Sequence, residues 1–222
     1  MKRALLAGAA VIALSFGTAG AANAALLNII GGLAFDTPPD GGGRIGNQII
    51  PNNSGYIGAA LFAPGNVNLT YEFIGFEAEF TNHFLVGSTL AFVNNTTPVG
   101  TTFISSAAAG TLVDFAFIAD VLGENGGPFN RPNEETNAND TVGFFLGVVG
   151  AGLVPGGGPR TGDAIYIALD DSGAGPNDNH DDLVVIVRAT AVPEGPVPEP
   201  ATLALLGGSL IGLGLLGRRR RR

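Results

Sequence analysis

Short β-prone runs separated by turn-forming residues constrain the fold of this chain more than any other feature. Between residues 25 and 196 no segment keeps the capped 3.6-residue apolar period of a helix. In the clearest run, Val67 to Phe73, every second residue is apolar and the residues between are polar, which is the pattern of a half-buried strand. Further strands are expected over 44–50, 56–62, 89–93, 101–105, 111–119, 141–149, 163–169 and 183–190. Frequent short strands with Gly, Pro and Asn turns predict an all-β domain, an antiparallel β-sandwich of jelly-roll-like type.

Two segments lack a strand pattern. Residues Gly123 to Asp140 are rich in turn formers and charges, and we expect a long surface loop there. Residues 192–197 contain Pro193 and Pro196, which predict a stiff spacer after the domain.

The first 24 residues have the three-part form of a secretory signal peptide. Lys2 and Arg3 supply positive charge, residues 4–16 form an apolar run, and residues 22–24 read Ala-Asn-Ala, a small-residue cleavage site. The apolar run is too short for a good membrane anchor. We therefore expect a signal helix over 1–24, cleaved between Ala24 and Ala25 after recognition by the secretion machinery, and an exported β-sandwich domain over 25–192.

The segment 193–222 contains a second set of signals. Pro198, Glu199 and Pro200 are followed by an uncharged run over 201–217 and by five arginines at 218–222. As a helix the run would be about 25 Å long, near the lower limit for a transmembrane helix. The arginines favour a cytoplasmic C-terminus, so both ends of the chain predict a domain on the outer side of the membrane.

This order of a Pro-Glu-Pro tripeptide, an apolar span and terminal arginines resembles the sorting tail of PEP-CTERM proteins. The resemblance implies a Gram-negative bacterium that makes extracellular polysaccharide, and an exosortase as the processing partner. It also implies a membrane-anchored intermediate that is cleaved at or near Pro198, Glu199 and Pro200. The protein would then reside at the cell surface or in the extracellular biofilm matrix. The resemblance covers the tail and describes handling, not the role of the exported domain.

The charge distribution excludes some functions. Between the basic residues at the two ends, the chain has four arginines and 19 acidic residues, which gives this part a formal charge of −15. Such a domain lacks the basic surface that nucleic-acid binding requires. The chain has no cysteine, and its only lysine is Lys2, so thiolate nucleophiles, disulfides and lysine Schiff bases are excluded from the mature domain.

The densest polar cluster lies between two apolar runs, at residues 170–182. Its carboxylates and amides offer hard oxygen ligands of the kind that calcium prefers. The expected ligands are Asp170, Asp171, Asp178, Asn179, Asp181 and Asp182. The D-D-L-V-V end of this segment resembles acidic hairpins in bacterial surface β-domains of unassigned function. The alternative is a solvated acidic turn without a metal. In a regular strand neighbouring side chains point to opposite faces, so only one of Asp181 and Asp182 could point toward a bound ion. For the other to reach the ion, the chain needs a turn or bulge before Leu183.

Other candidate sites are weaker. Glu77 and Glu79 share one face of an expected strand, either as solvent-facing side chains, as additional ligands for the acidic segment, or as catalytic carboxylates. The two histidines, His83 and His180, form no metal signature, although His180 lies among carboxylates.

These features predict a non-catalytic, exported structural or adhesive module, stabilised by calcium. The first alternative is a glycan-binding module of the exopolysaccharide matrix, which the absence of tryptophan and the presence of only three tyrosines disfavour. The second alternative is a secreted hydrolase that uses Glu77 and Glu79.

Overall fold

The computed structural model describes residues 25–35, 54–78, 80–124, 126–134, 142–171 and 180–193. Within these ranges the chain forms antiparallel strands joined by turns and bends, which confirms the predicted all-β class. No helix in these ranges has the length and apolar character needed to cross a bilayer. The signal helix expected over 1–24 and the transmembrane helix expected over 201–217 lie outside the described residues.

The larger of two sheets contains nine strands. In sequence order they are β1 (Leu27–Phe35), β2 (Gly55–Ala63), β3 (Val67–Gly75), β6 (Thr102–Ala107), β7 (Thr111–Leu112), β10 (Gly143–Val148), β11 (Thr161–Gly162), β12 (Ala164–Asp170) and β13 (Leu183–Ala191). Across the sheet the order is β11-β1-β2-β10-β12-β13-β3-β6, and β7 pairs with β2. The strand β13, last in the sequence, therefore lies inside the sheet between β12 and β3.

The smaller sheet has four strands in the order β5-β4-β8-β9. They are β4 (His83–Val86), β5 (Thr89–Val93), β8 (Phe115–Ala119) and β9 (Phe129–Pro132). His83 of β4 pairs with Val93 of β5 and Ile118 of β8. The beginning of β4 and the ends of β5 and β8 therefore lie at the same end of this sheet.

Both sheets contribute to one buried aromatic cluster. Phe84 of β4 lies 5.6 Å from Tyr71 in the large sheet and 5.1 Å from Phe117, between ring centroids. Phe115 of β8 contacts Phe144 of β10 at 5.4 Å. These rings are fully buried or nearly so, and each contributes roughly 2–3 kcal/mol by removing its surface from water. The aromatic residues thus hold the two sheets together around one shared core.

The central strands of the large sheet are also buried on their other face. There Ile57, Phe145, Tyr166, Ala168, Val184 and Ile186 form a second apolar cluster. The runs in β12 and β13 are accordingly apolar at consecutive positions rather than at alternate ones. The strand β3, next to the last in the sheet, keeps strict alternation: residues 67, 69, 71 and 73 are buried, as the sequence predicts.

The predicted surface loop over 123–140 is wrong in part. It contains β9, and directly after it the buried side chain of Asn133. Its side-chain oxygen Oδ1 accepts a hydrogen bond from the backbone amide of Leu61 at 2.7 Å. Its side-chain nitrogen Nδ2 donates to the backbone carbonyls of Leu61 and Val113 at 2.8 and 2.7 Å. One side chain thus satisfies backbone groups of β2 and of the segment between β7 and β8.

Candidate functional site

The β12–β13 hairpin brings the predicted acidic residues to one end of the large sheet. Leu169 pairs with Leu183, so Asp170 and Asp171 leave β12 beside Asp181 and Asp182, which precede β13. Gly75, the last residue of β3, pairs with Val184 and adds the segment containing Glu77 at the same place. We call these residues, Glu77, Asp170, Asp171, Asp181 and Asp182, the acidic end. The proposed ligands Asp178 and Asn179 lie outside the described residues.

The aspartates of the acidic end are buried rather than displayed to solvent. Asp181 has no exposed surface, and Asp170, Asp171 and Asp182 are at most 8% exposed. The Asp171 amide donates to Asp182 Oδ2 at 2.7 Å, and the Asp182 amide donates to the Leu169 carbonyl at 3.1 Å. These bonds fix the Asp182 carboxylate against the start of the turn after β12.

Crowding of the carboxylates changes their protonation. Burial, and then the negative charges of Asp171 and Asp170, raise the pKa of Asp182 to about 9. Burial, and then the carboxyl of Glu77, raise the pKa of Asp181 to about 7. Asp182 therefore faces the Asp170–Asp171 side of the hairpin, and Asp181 faces Glu77.

Asp181 is the most unusual group at this site. Its carboxylate is fully buried, and within the described ranges neither Oδ1 nor Oδ2 accepts a hydrogen bond of good geometry, although the Glu77 carboxyl lies beside it. Its backbone carbonyl accepts a hydrogen bond from the Glu77 amide at 2.9 Å, which fixes the Glu77 segment beside it. A buried carboxylate normally has partners, because leaving it without them costs several kcal/mol.

The backbone before Asp181 departs from strand geometry. His180 has a φ of +46°, in the left-handed region that a non-glycine residue rarely adopts. Because of this turn, Asp181 and Asp182 are not governed by the simple alternation of a regular strand. The His180 ring packs against Phe35 and Phe145, with centroids 5.5 and 6.3 Å away.

Two asparagines connect the acidic end to the small sheet. Asn82, just before β4, donates from Nδ2 to Asp171 Oδ2 at 2.6 Å. Its Oδ1 accepts from the Asp120 amide at 2.9 Å, and its own amide donates to Asn94 Oδ1 at 3.0 Å. Asn82, Asn94 and Asp120 have no exposed surface. This hydrogen-bonded chain holds the hairpin of one sheet against the strand ends of the other.

The sequence does not single out Asn82, Asn94 and Asp120, the residues of this hydrogen-bond network. Asn82 and Asp120 carry no motif, and Asn94 only begins one of the Asn-x-Thr tripeptides that are common in this chain. Their shared property is position: each lies directly beside a strand end, and those ends meet only once the small sheet is assembled.

Glu77, one of the two carboxylates expected to share a strand face at 77 and 79, does not lie on a strand. β3 ends at Gly75, Glu77 is exposed in the segment that follows, and Glu79 lies outside the described residues. His83 lies on β4, where burial lowers its pKa. Within the described ranges, no three His, Asp or Glu side chains are arranged so that they alone could hold a metal ion.

Comparison with known proteins identifies the C-terminal segment. Residues 196–222 match the family model of the PEP-CTERM protein-sorting motif. The match includes Pro198, Glu199 and Pro200 and confirms the resemblance seen in the sequence. These residues, like Ala24 at the expected signal cleavage site, lie outside the described ranges. Comparisons with curated proteins and with solved structures gave no match.

Proposed function

We propose, from the premise that this chain is a PEP-CTERM protein and an exosortase substrate, that its exported domain is a non-catalytic structural module stabilised by calcium. The sorting motif implies exosortase-dependent export to the cell surface through a membrane-anchored intermediate. The proposal for the domain itself rests on one observation. The Asp181 carboxylate is completely buried, and among the described residues only the carboxyl of Glu77 is a neighbouring side-chain partner, with no donor of fixed geometry for either oxygen.

A calcium ion would give the Asp181 carboxylate the partner that it lacks among the described residues. Calcium binds six to eight oxygen ligands in flexible geometry, and carboxylates are its preferred charged ligands. The neighbouring Glu77 carboxyl would add to Asp181 on one side, and Asp182 lies beside Asp171 and Asp170 on the other. The described carboxylates do not by themselves form a metal site, so the proposal also requires Asp178 and Asn179, from the segment that connects β12 and β13.

The electrostatic balance supports a divalent cation rather than an empty site. Like charges in a buried environment repel strongly, because the surrounding protein screens them less than water does. The raised pKa values of Asp181 and Asp182 reflect burial together with this repulsion, which bound protons relieve without metal and which a divalent cation would relieve in their place. The formal charge of −15 between the basic ends of the chain adds to the attraction for a cation. An ion that binds only the folded hairpin stabilises it by about 2.7 kcal/mol at a hundredfold excess over Kd.

The test compares thermal unfolding of the processed, released protein in millimolar calcium and in chelator. We expect calcium to raise the Tm of the wild type by about 5–10 °C, the shift that corresponds to a few kcal/mol in a domain of this size. The isosteric double variant Asp181→Asn/Asp182→Asn should lose this calcium-dependent shift. At or above neutral pH it should also melt above the wild type in chelator, because the raised pKa values of Asp181 and Asp182 cost the wild type stability as pH rises, and asparagine does not ionise.

The matched control is Asp114→Asn, which neutralises an exposed aspartate between β7 and β8. It should keep the full calcium shift. Equal Tm values for the wild type in calcium and in chelator would contradict the calcium site and leave a metal-free cluster of buried, protonated carboxyls as the explanation. Retention of the shift in the double variant would place the ion elsewhere.

The tyrosines favour a structural module over a glycan-binding one. Tyr56, Tyr71 and Tyr166 are at most 8% exposed, and the chain has no tryptophan. Tyr56 is covered by Arg160, whose guanidinium lies 3.7 Å from the ring centroid. Sugar-binding modules usually display aromatic faces to solvent, and these three rings are used inside the fold instead.

A further inference from the structure

The large sheet has one long edge that no described strand covers. β6 is the terminal strand of the sheet and pairs only with β3, over the six positions from Val67–Ala107 to Glu72–Thr102. The register of this pair contains no bulge. In such a strand every second residue directs its backbone N–H and C=O away from the sheet, where they can pair with another chain. At the opposite end of the sheet, β11 has only two residues.

The β6 edge lacks the features by which proteins usually prevent strand pairing. Soluble proteins protect edges with charged side chains, above all lysine, with proline, or with bulges. Residues 102–107 include no charge and no proline, and no Asp, Glu, Lys or Arg occurs anywhere from 80 to 113. Instead, the β6 side chain of Ile104 is 71% exposed. An uncharged, regular edge with an exposed isoleucine is suited to β-sheet extension.

We propose that β6 is a self-association edge, at which two copies of this chain pair β6 antiparallel to β6 and join their large sheets into one. A two-fold axis perpendicular to the sheet keeps equivalent faces together, so the exposed Ile104 side chains of the two copies come to lie on the same face. Each copy contributes the same strand, so the contact is closed and produces a dimer rather than a fibre.

The lack of charge on the β6 edge fits a second copy as the occupant, because two identical strands that carried charge would repel each other when paired. With a formal charge of −15 between its basic ends, the chain repels other copies of itself across most approaches. The span from 80 to 113, which supplies β6, carries none of that charge. Two copies can therefore meet along β6 without bringing carboxylates of this span together. This inference rests on strand order and charge distribution, and it is independent of the calcium site.

The first test is the mass of the processed, released protein by sedimentation equilibrium, with and without a charge on the edge. The wild type should sediment as a dimer, and Ile104→Lys should sediment as a monomer. The matched control is Leu33→Lys, because Leu33 also lies on a strand and is also 71% exposed. It should remain dimeric. A monomeric wild type, or an Ile104→Lys variant that is as dimeric as the control, would overturn the proposal.

The second test uses the absence of cysteine from the chain. Single cysteines placed in turn at 102–107 should form intermolecular disulfides on mild oxidation, with yields that alternate along the strand and peak near the two-fold axis. Leu33→Cys should give none. Should Ile104→Lys fail to fold, this scan and the exposed Ser106→Lys variant still decide the question. Uniform or absent cross-linking across the six positions would overturn the pairing.

Discussion

Tyr71 has a polar hydroxyl group that is buried in the apolar core. The side chain has no exposed surface and contacts Phe84 in the shared core, and among the described residues its hydroxyl makes no hydrogen bond of good geometry, with the Ser105 side chain as its polar neighbour. Burial raises the pKa of Tyr71 from 10.0 to about 12. The folded protein thus keeps the hydroxyl neutral over a pH range in which the unfolded chain ionises it.

This difference predicts a loss of stability at alkaline pH. Between about pH 10 and 12 the unfolded chain releases the Tyr71 proton while the folded chain retains it, so the free energy of unfolding decreases as pH rises. The loss attributable to Tyr71 is about 2 kcal/mol. The variant Tyr71→Phe should lack this component, and at pH 8 it should be at least as stable as the wild type, because it removes an unsatisfied buried hydroxyl.

Denaturant unfolding of both proteins at pH 8 to 12 measures the effect. The other tyrosines are present in both proteins, so their ionisation cancels in the difference. Stability curves that run parallel over this range would show that Tyr71 ionises equally in the folded and unfolded states.

The sequence predicts the acidic residues of the candidate site better than it predicts their surroundings. The run of aspartates at 170–182 between two apolar strands indicates a hairpin, and that hairpin is present in the structure. The burial of Asp181 and the link from Asp171 to Asn82 were not predictable, because both depend on how the two sheets pack. Local patterns report which face a residue shares, but not what covers that face.

Among the structural elements, β2 crosses closest to its neighbour at Gly55. A Cβ at this position would lie 2.2 Å from the Phe145 ring and 2.3 Å from the Leu146 carbonyl oxygen, both in β10. Gly65, between β2 and β3, has open space around the same point. The close packing of β2 on β10 therefore requires glycine at 55 but not at 65.

The pair Gly55→Ala and Gly65→Ala isolates this requirement. We expect Gly55→Ala to reduce the free energy of unfolding by about 3 kcal/mol, since it forces the backbones of β2 and β10 apart. Gly65→Ala should change it by less than about 0.5 kcal/mol. Chemical denaturation of the two variants beside the wild type measures both values, and similar losses for the two would argue against tight packing at Gly55.

Strand prediction succeeded where a β-prone run is uninterrupted and failed where glycine or proline interrupts it. β3, β5 and β13 lie close to the expected ranges, whereas β1 was missed because Gly31 and Gly32 resemble a turn. Both glycines have positive φ, and Gly32 lets β1 approach Ala59 of β2 closely. The run expected at 111–119 is divided into β7 and β8, and β9 was missed because Pro132 closes it. These strands are stabilised by neighbours distant in sequence, which a local pattern cannot show.

For the whole molecule, the sorting motif predicts a defined processed product. The released protein should begin at Ala25, end near Pro198–Pro200 and lack the five arginines at 218–222. Replacing the motif carboxylate, Glu199→Ala, should leave uncut chain in the membrane fraction. Glu194→Ala, outside the matched segment 196–222, should be processed normally.

Intact-mass spectrometry of the released and membrane fractions identifies both ends of each product. Released protein that retains Arg218–Arg222 would contradict cleavage at the motif. Equal processing of Glu199→Ala and Glu194→Ala would show that this glutamate is not needed for recognition.

The position of β13 also sets the timing of folding during export. A chain that crosses a membrane N-terminus first delivers β3 early and Leu183–Ala191 last among the described strands, yet β13 separates β3 from β12 in the sheet. The large sheet cannot close until nearly the whole domain has emerged, so its first half must wait in an unfinished state. The next segment to follow is the sorting tail itself. The domain therefore completes its sheet at nearly the same time as the sorting tail reaches the membrane. Exosortase then acts on a chain whose domain has only just become able to fold.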